Sequence, residues 1–186
     1  MKSNQIIMQD ARGRLKDNWP MAIITYLVTG FLPGAVGPLG LIVAGPLEFG
    51  VSTFSLNLSR KKHAEFTQVL YGFSRRLVDS VLAYLLRMLF VMLWSLLFVI
   101  PGIVALIAYS QTFFILNEDK KISGLDAISK SKLMMVGHKV EFFCLCLRFT
   151  GWFILSLMTC GIGFLWLVPY ARVSFAGFYN ELKKAQ

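Results

Sequence analysis

Charged residues are scarce in this sequence. They make up 16% of the 186 residues, whereas a globular domain usually carries about 25%. Hydrophobic residues make up 56%. Unbroken apolar segments of roughly 20 residues recur, which is about the length of helix that crosses a ~30 Å hydrocarbon layer. Unbroken runs argue against a β-barrel, whose strands alternate polar and apolar residues. We therefore predict an all-α fold, a polytopic membrane helical bundle without a separate soluble domain.

Cysteine and histidine are also rare, which argues against metal and disulfide chemistry. The chain has three cysteines and two histidines. Cys144 and Cys146 point to nearly opposite faces of a helix, and Cys160 stands alone in a predicted outer turn. His63 and His138 are isolated in the polar connections, and no HExxH, Walker or GxSxG motif occurs. We therefore expect no metal, no cofactor and no enzymatic activity.

The first nineteen residues predict a surface helix that is retained. No continuous apolar stretch precedes Pro20 and no small-residue cleavage site follows, so residues 1–19 do not resemble a cleaved signal peptide. Their apolar residues have helical spacing among basic ones, which is typical of an amphipathic helix in the membrane interface. These apolar residues are Ile7, Met8, Ala11, Leu15 and Trp19. A short solvated helix leading into the first span is the alternative.

Six hydrophobic segments predict six transmembrane helices in a single domain, residues 1–186. The segments lie at about 20–44, 39–58, 80–100, 102–122, 140–159 and 162–179. Three uncharged stretches rich in proline or glycine interrupt them, and we interpret these as hairpin turns. They are LPGAVGPLG (32–40), IPG (100–102) and TCGIG (159–163). The prediction is three hairpins joined by two longer polar connections.

The two long connections, 59–80 and 117–139, predict cytoplasmic amphipathic helices. In the second connection, Ser123 and Asp126 form a capping box, which predicts a helix that starts at residue 124. In the first connection, five apolar residues recur at helical spacing. They are Phe66, Val69, Leu70, Phe73 and Leu77.

The distribution of lysine and arginine predicts the orientation. Sixteen of the nineteen lie in the N-terminal segment, the long connections or the C-terminal tail, and the hairpin turns have none. Positive-inside reasoning therefore places both termini and both connections in the cytoplasm. The net charge of +9 then faces phospholipids with anionic headgroups. Nucleic acid is a poor partner for this charge, because the basic residues flank spans rather than cover a soluble domain.

The three hairpins also predict an internal repeat of about sixty residues, with units at 5–58, 64–116 and 124–180. The best match aligns GIVALIAYSQTFF (102–114) with GFLWLVPYARVSF (163–175). Both place tyrosine seven residues after glycine, with a polar residue two further on. The looser counterpart is GLIVAGPLEFG (40–50), and in this register Glu48, Gln111 and Arg172 are equivalent. Arg87 and Arg148 form a second, approximately equivalent pair. Any two membrane hairpins share part of such a pattern, so chance similarity stays open.

Five polar residues inside the predicted spans form a candidate intramembrane anion site: Glu48, Arg87, Gln111, Arg148 and Arg172. At ~1.5 Å per residue, each arginine lies ~10–12 Å inside the cytoplasmic end of its span, and the glutamate ~18 Å. In one interpretation the arginines snorkel to the headgroups. In the other they face inward, and Arg87 or Arg172 pairs with Glu48. The surplus positive charge then suits an anionic lipid headgroup or another anion, which the forked guanidinium binds well.

Several stretches together resemble a family of bacterial integral membrane proteins, domain of unknown function 975. They are ARGRLKDNW (11–19), GPLEFGVSTFSLNLSR (45–60), IPGI (100–103), AYSQTFFIL (108–116), SKSKLMMVGHK (129–139), GWFILSLMTCGIGFLWLVPY (151–170) and FAGFYNEL (175–182). The resemblance implies a six-span protein of mostly Gram-positive bacteria without an established activity. It also implies a remote likeness to the membrane portion of some glycerophosphodiester phosphodiesterases. Arg148 departs from the family, which usually has a small polar residue there.

Two classes of function fit these features. The first is a non-enzymatic protein of the bacterial cytoplasmic membrane that binds lipid, or a membrane protein or peptide partner. It would act as an accessory or envelope factor, or as an immunity-type factor. The alternative is a small-solute transporter or channel with a polar site around Glu48 and the intramembrane arginines. Transport usually leaves several polar residues along a path at the midplane, and Glu48 is the only acidic residue deep in a span. This scarcity of polar residues deep in the spans favours the binding role over transport.

Overall fold

A computed structural model of the chain describes residues 3–16, 18–60, 62, 64–159 and 161–185. Within these ranges the regular structure is helical, without strands, which confirms the all-α prediction. Two 3-10 helices, Gly37–Leu39 and Phe66–Leu70, accompany the α-helices. The α-helices are α1 Asn4–Leu15, α2 Trp19–Ala35, α3 Gly40–Ser59, α4 Tyr71–Arg75, α5 Leu77–Leu97, α6 Val99–Ala108, α7 Thr112–Glu118, α8 Gly124–Met134, α9 Lys139–Met158 and α10 Phe164–Ala185.

Four helical segments in the described part of the chain are long and apolar enough to span a membrane. They are Gly37–Ser59, Leu77–Leu96, Val99–Glu118 and Lys139–Met158. The other two predicted spans are helical as well, but α2 has only 17 residues and α10 carries four charged side chains. The arrangement with six spans therefore stays a prediction.

The start of α8 is the clearest local agreement with the sequence. The helix begins at Gly124, and the N–H of Asp126 donates to Ser123 Oγ at 3.2 Å. Ser123 Oγ also donates to the Asp126 carboxylate at 2.7 Å. The capping box is confirmed, because serine at this position accepts from a backbone donor that has no partner inside the helix.

The connection before α5 differs from the prediction. Instead of one amphipathic helix, the chain forms the 3-10 helix Phe66–Leu70 and then the short α4. A break follows at Arg76, with φ −148° and ψ 46°, before α5 begins. Val69 is buried whereas Leu70 and Leu77 are exposed, so the expected apolar stripe does not line a single face.

Two glycines explain why this connection is not a continuous helix. A Cβ at Gly50 would overlap the backbone of Val69, and a Cβ at Gly72 would overlap the backbone of Pro46. Because both side chains are missing, the connection lies directly on α3, backbone against backbone. The shape of this segment is therefore set by its contact with α3 and not by its own helical periodicity.

The N-terminal segment forms a helix, Asn4–Leu15, whose buried apolar residues face protein, while its placement in the membrane interface stays a prediction. Ile7, Ala11 and Leu15 of α1 are buried. Helix α1 packs mainly against α10 and also contacts α3 and α9, and Asn4 Nδ2 donates to the Glu141 carbonyl at 2.8 Å. The apolar stripe of α1 is therefore covered by the bundle.

Helix α3 lies at the centre of the bundle, and α5 and α9 lie outside. Helix α3 packs against α2, α5, α7 and α10, and 67% of an apolar 18-residue stretch of Gly37–Ser59 is buried. In the corresponding 18-residue stretches of Leu77–Leu96 and Lys139–Met158, only 11% and 22% of the residues are buried. The outer helices thus present broad apolar surfaces, far larger than a water-soluble monomer usually exposes.

Three helix pairs are closed by turns that share one contact. The pairs are α2 with α3, α5 with α6 and α7, and α9 with α10. At or just after each turn, a glycine packs on the residue seven positions earlier: Gly40 on Pro33, Gly102 on Ser95, and Gly163 on Ser156. A Cβ at any of these glycines would overlap that neighbour. The predicted repeat stays a prediction, but its three turns close in the same way.

Candidate anion site between the helix pairs

A cavity of about 450 Å³ lies where the three helix pairs meet. Its wall contains residues of α3, α5, α6, α7, α9 and α10. Most of them are apolar or aromatic. Its charged residues are Glu48, Arg87 and Arg172, and its hydroxyl groups belong to Ser52 and Ser110. Three of the five residues predicted for the intramembrane site therefore line one cavity.

Glu48 and Arg172 form a forked ion pair across the cavity. Arg172 Nη2 donates to Glu48 Oε2 at 3.1 Å, and Arg172 Nη1 donates to Glu48 Oε1. Both residues follow a proline inside their helix, Pro46 in α3 and Pro169 in α10. The sequence interpretation offered Arg87 or Arg172 as the partner of Glu48, and the structure places Arg172 there.

Arg87 faces the same cavity without a hydrogen-bonded partner. Its guanidinium carbon lies 5.8 Å from the centroid of the Phe113 ring, within the range of a cation–π interaction. No described residue accepts a hydrogen bond from it. Two arginines therefore share one carboxylate, and the charged groups of the cavity carry a net charge of +1.

Gln111 lies behind the cavity wall. Its side chain is fully buried, and its Nε2 donates to Ser110 Oγ, which lines the cavity, at 2.8 Å. Its backbone N–H donates to Ser131 Oγ at 3.2 Å. The Gln111 Oε1 atom is buried without a partner among the described residues. Gln111 thus touches the site only through Ser110.

Arg148 does not join the other four residues, and its place in the predicted site is corrected. It is exposed on α9 and does not line the cavity, whereas Cys146, two residues earlier, does. Residues two apart on a helix point in very different directions, which explains the separation. This position suits the interpretation in which Arg148 snorkels to the headgroups.

A second polar cluster, which the sequence did not indicate, centres on Glu118. Its carboxylate accepts from Tyr179 Oη at 2.8 Å and from Lys183 Nζ at 2.6 Å, and it pairs with Arg60. Arg60 Nε also donates to Asn180 Oδ1 at 2.8 Å. The cluster ties α10 to the ends of α3 and α7, and no spacing rule connects residues so far apart in sequence.

The remaining sequence candidates do not assemble into a site. Among the described residues, no group of three or more His, Cys, Asp or Glu is placed to hold a metal. His138 Nδ1 lies 3.2 Å from Glu141 Oε2, and Cys144 is exposed. His63 and Cys160 lie outside the described residues. Phe113 and Cys146 line the cavity and were missed, because nothing in their spacing marks them.

Comparison with known proteins gives one match. The family model described as Protein of unknown function (DUF975) matches residues 96–186. This match covers just under half of the chain and agrees with the family that the sequence resembles. No curated protein and no solved structure gives a significant match to the chain.

Proposed function

We propose that this protein, which is similar to the DUF975 family over residues 96–186, is a non-enzymatic protein of the bacterial cytoplasmic membrane that binds an anionic lipid headgroup. It would act as an accessory, envelope or immunity-type factor. The six spans are α2, α3, α5, α6 with α7, α9 and α10. Both termini and both long connections face the cytoplasm.

The outer surface supports the membrane placement. Large apolar side chains of α5 and α9 are exposed over the length of both helices, and a hydrocarbon environment removes the cost of exposing them. The Glu118 cluster gathers charged side chains at the ends of α3, α7 and α10, which suits the cytoplasmic interface.

The observation that carries the proposal is the surplus positive charge of the cavity. Glu48 neutralises Arg172, and Arg87 has no counter-charge of its own. An uncompensated charge in a low-dielectric site costs several kcal/mol, which a bound anion offsets. Arginine suits a phosphate group because its fork makes two parallel hydrogen bonds. An anionic headgroup therefore complements this cavity.

Native mass spectrometry of the purified protein tests the proposal. With equal amounts of phosphatidylglycerol and phosphatidylcholine, the wild type should retain phosphatidylglycerol. Arg87→Gln and Arg172→Gln should reduce the retained fraction at least five-fold, and Arg87→Lys should reduce it less. Arg148→Gln is the matched control, because it removes an arginine outside the cavity. If the wild type and all four variants retain the same fraction of phosphatidylglycerol, the proposal is contradicted.

A transporter is the second candidate, favoured by the position of Glu48. This carboxylate lines the cavity two residues after Pro46, which interrupts the hydrogen bonds of α3. Transporters often place binding residues on such broken helices. Flux of a radiolabelled small anion into proteoliposomes, dependent on Glu48 and Arg87, would favour transport. Lipid retention without flux would favour the binding role.

A further inference from the structure

Resting on the proposed function, we infer that the ligand is an anionic lipid that enters sideways between α6 and α9. Its headgroup lies at Arg87 and Arg172, and its acyl chains leave through the wall that these two helices form. This assigns the source of the anion to the bilayer rather than to the aqueous phase.

The wall between α6 and α9 carries the inference. Ile103 and Leu106 of α6 line the cavity and are exposed at the outer surface as well. On α9, Phe143 also lines the cavity and is exposed, and Cys146 is half-buried beside it. On this inference the four residues form the rim of a lateral opening, called here the α6–α9 portal.

The charged groups of the cavity and the uncharged rim of the portal lie on different helices. The ion pair joins α3 and α10, and Arg87 lies on α5. The four rim residues carry no charge. A lipid has the same order of groups, with a charged headgroup followed by hydrocarbon. Inorganic phosphate would lose its hydration at the apolar rim without compensation.

The size of the cavity agrees with a ligand that is only partly enclosed. A volume of about 450 Å³ lies within the ~300–1,000 Å³ range of small-ligand sites. It accommodates a headgroup and the adjoining part of the chains. The remaining chain length lies in the bilayer, where the exposed apolar surface of α9 continues.

Two neighbouring cysteines allow a direct test. Cys146 lines the portal and Cys144 is exposed elsewhere on α9, so Cys144 serves as an internal control. In a Cys160→Ser background, N-ethylmaleimide modification of each thiol is followed by peptide mass spectrometry in zwitterionic detergent. Added phosphatidylglycerol should slow modification of Cys146 at least five-fold relative to Cys144. Phosphatidylcholine and inorganic phosphate should leave the ratio unchanged.

The outcomes separate the route from the proposed function. Equal protection of Cys146 by inorganic phosphate would overturn the lipid assignment. Retention of phosphatidylglycerol that depends on the arginines, without protection of Cys146, would overturn the portal and leave the proposed function standing. Failure of both measurements would remove the proposed function itself.

A second pair of variants tests the portal independently. Ile103→Trp places a large ring in the opening. Val104→Trp is the matched control, because Ile103 and Val104 are each 42% exposed and only Ile103 lines the cavity. Ile103→Trp should lower phosphatidylglycerol retention at least three-fold, and Val104→Trp should not. Equal retention in both would contradict the lateral route. If Ile103→Trp does not fold, the Cys146 measurement still decides.

Discussion

The ion pair between Glu48 and Arg172 gives the sharpest prediction about stability. Glu48→Gln removes the carboxylate charge and leaves Arg172 and Arg87 together in one cavity. Breaking a buried pair by removing one partner costs about 3–5 kcal/mol. The Arg172 side chain is 36% exposed and the Glu48 side chain is 21% exposed. We therefore reduce the expected loss to ~2 kcal/mol. Arg172→Gln should cost a similar amount.

The double variant Glu48→Gln with Arg172→Gln separates this pair from general damage. If Glu48 and Arg172 act as one pair, each single variant loses ~2 kcal/mol, and the double variant loses about as much as either single variant. The assay is reversible unfolding in mixed micelles without anionic lipid. Glu65→Gln, at an exposed position, is the control and should change little. A coupling energy under ~0.5 kcal/mol would refute the reasoning, because that is the worth of an ordinary surface pair.

The same variant should respond more strongly to anions. In Glu48→Gln the charged groups of the cavity change from a net +1 to a net +2, so added phosphatidylglycerol should restore part of the lost stability. The stabilisation of the wild type by the same lipid should be smaller. Equal stabilisation in both proteins would mean that Glu48 does not compete with the anion.

Three further predictions concern topology, turns and capping. In a cysteine-free background, Ile162→Cys should react with an impermeant maleimide on intact cells, and Lys130→Cys should react only after permeabilisation; the reverse pattern would invert the orientation. Gly163→Val should lower folded yield strongly, because its Cβ would meet Ser156 Oγ at 2.5 Å. Gly151→Val should not, because nothing lies within 4 Å of a Cβ at that position. Equal yields of the two variants in size-exclusion chromatography would contradict the contact. Ser123→Ala should lower the free energy of unfolding by ~1 kcal/mol, and an unchanged midpoint in the unfolding assay would mean that the cap does not stabilise α8.

Local signals in the sequence predicted local structure well. The apolar segments became helices, and Ser123 with Asp126 placed the start of α8 at the correct residue. These features depend only on neighbours a few residues away. The prediction of one amphipathic helix was wrong at Phe66–Leu70, because the conformation of this segment depends on Gly50, which is distant in sequence and lies beneath it.

The candidate site shows a second limit of sequence reasoning. Arg87 and Arg148 occupy equivalent places in the predicted repeat, yet Arg87 lines the cavity and Arg148 is exposed. Depth along a helix follows from counting residues, whereas the rotation of the helix about its axis depends on packing against neighbours. Glu48 and Arg172 were grouped because both lie deep in predicted spans and carry opposite charges, and they form an ion pair in the structure. The Glu118 cluster depends on tertiary contacts alone.

The glycine contacts in the three turns have a mechanical consequence. Each turn closes with main chain or a short side chain directly against the missing Cβ, which leaves little room for the two helices of a pair to shift past each other. We therefore expect each helix pair to move as a rigid body, with relative motion only at the interfaces between pairs. The cavity lies at those interfaces. Its width should then change by small sliding of whole pairs, a shear motion, and headgroups of different size would be accommodated without bending any helix.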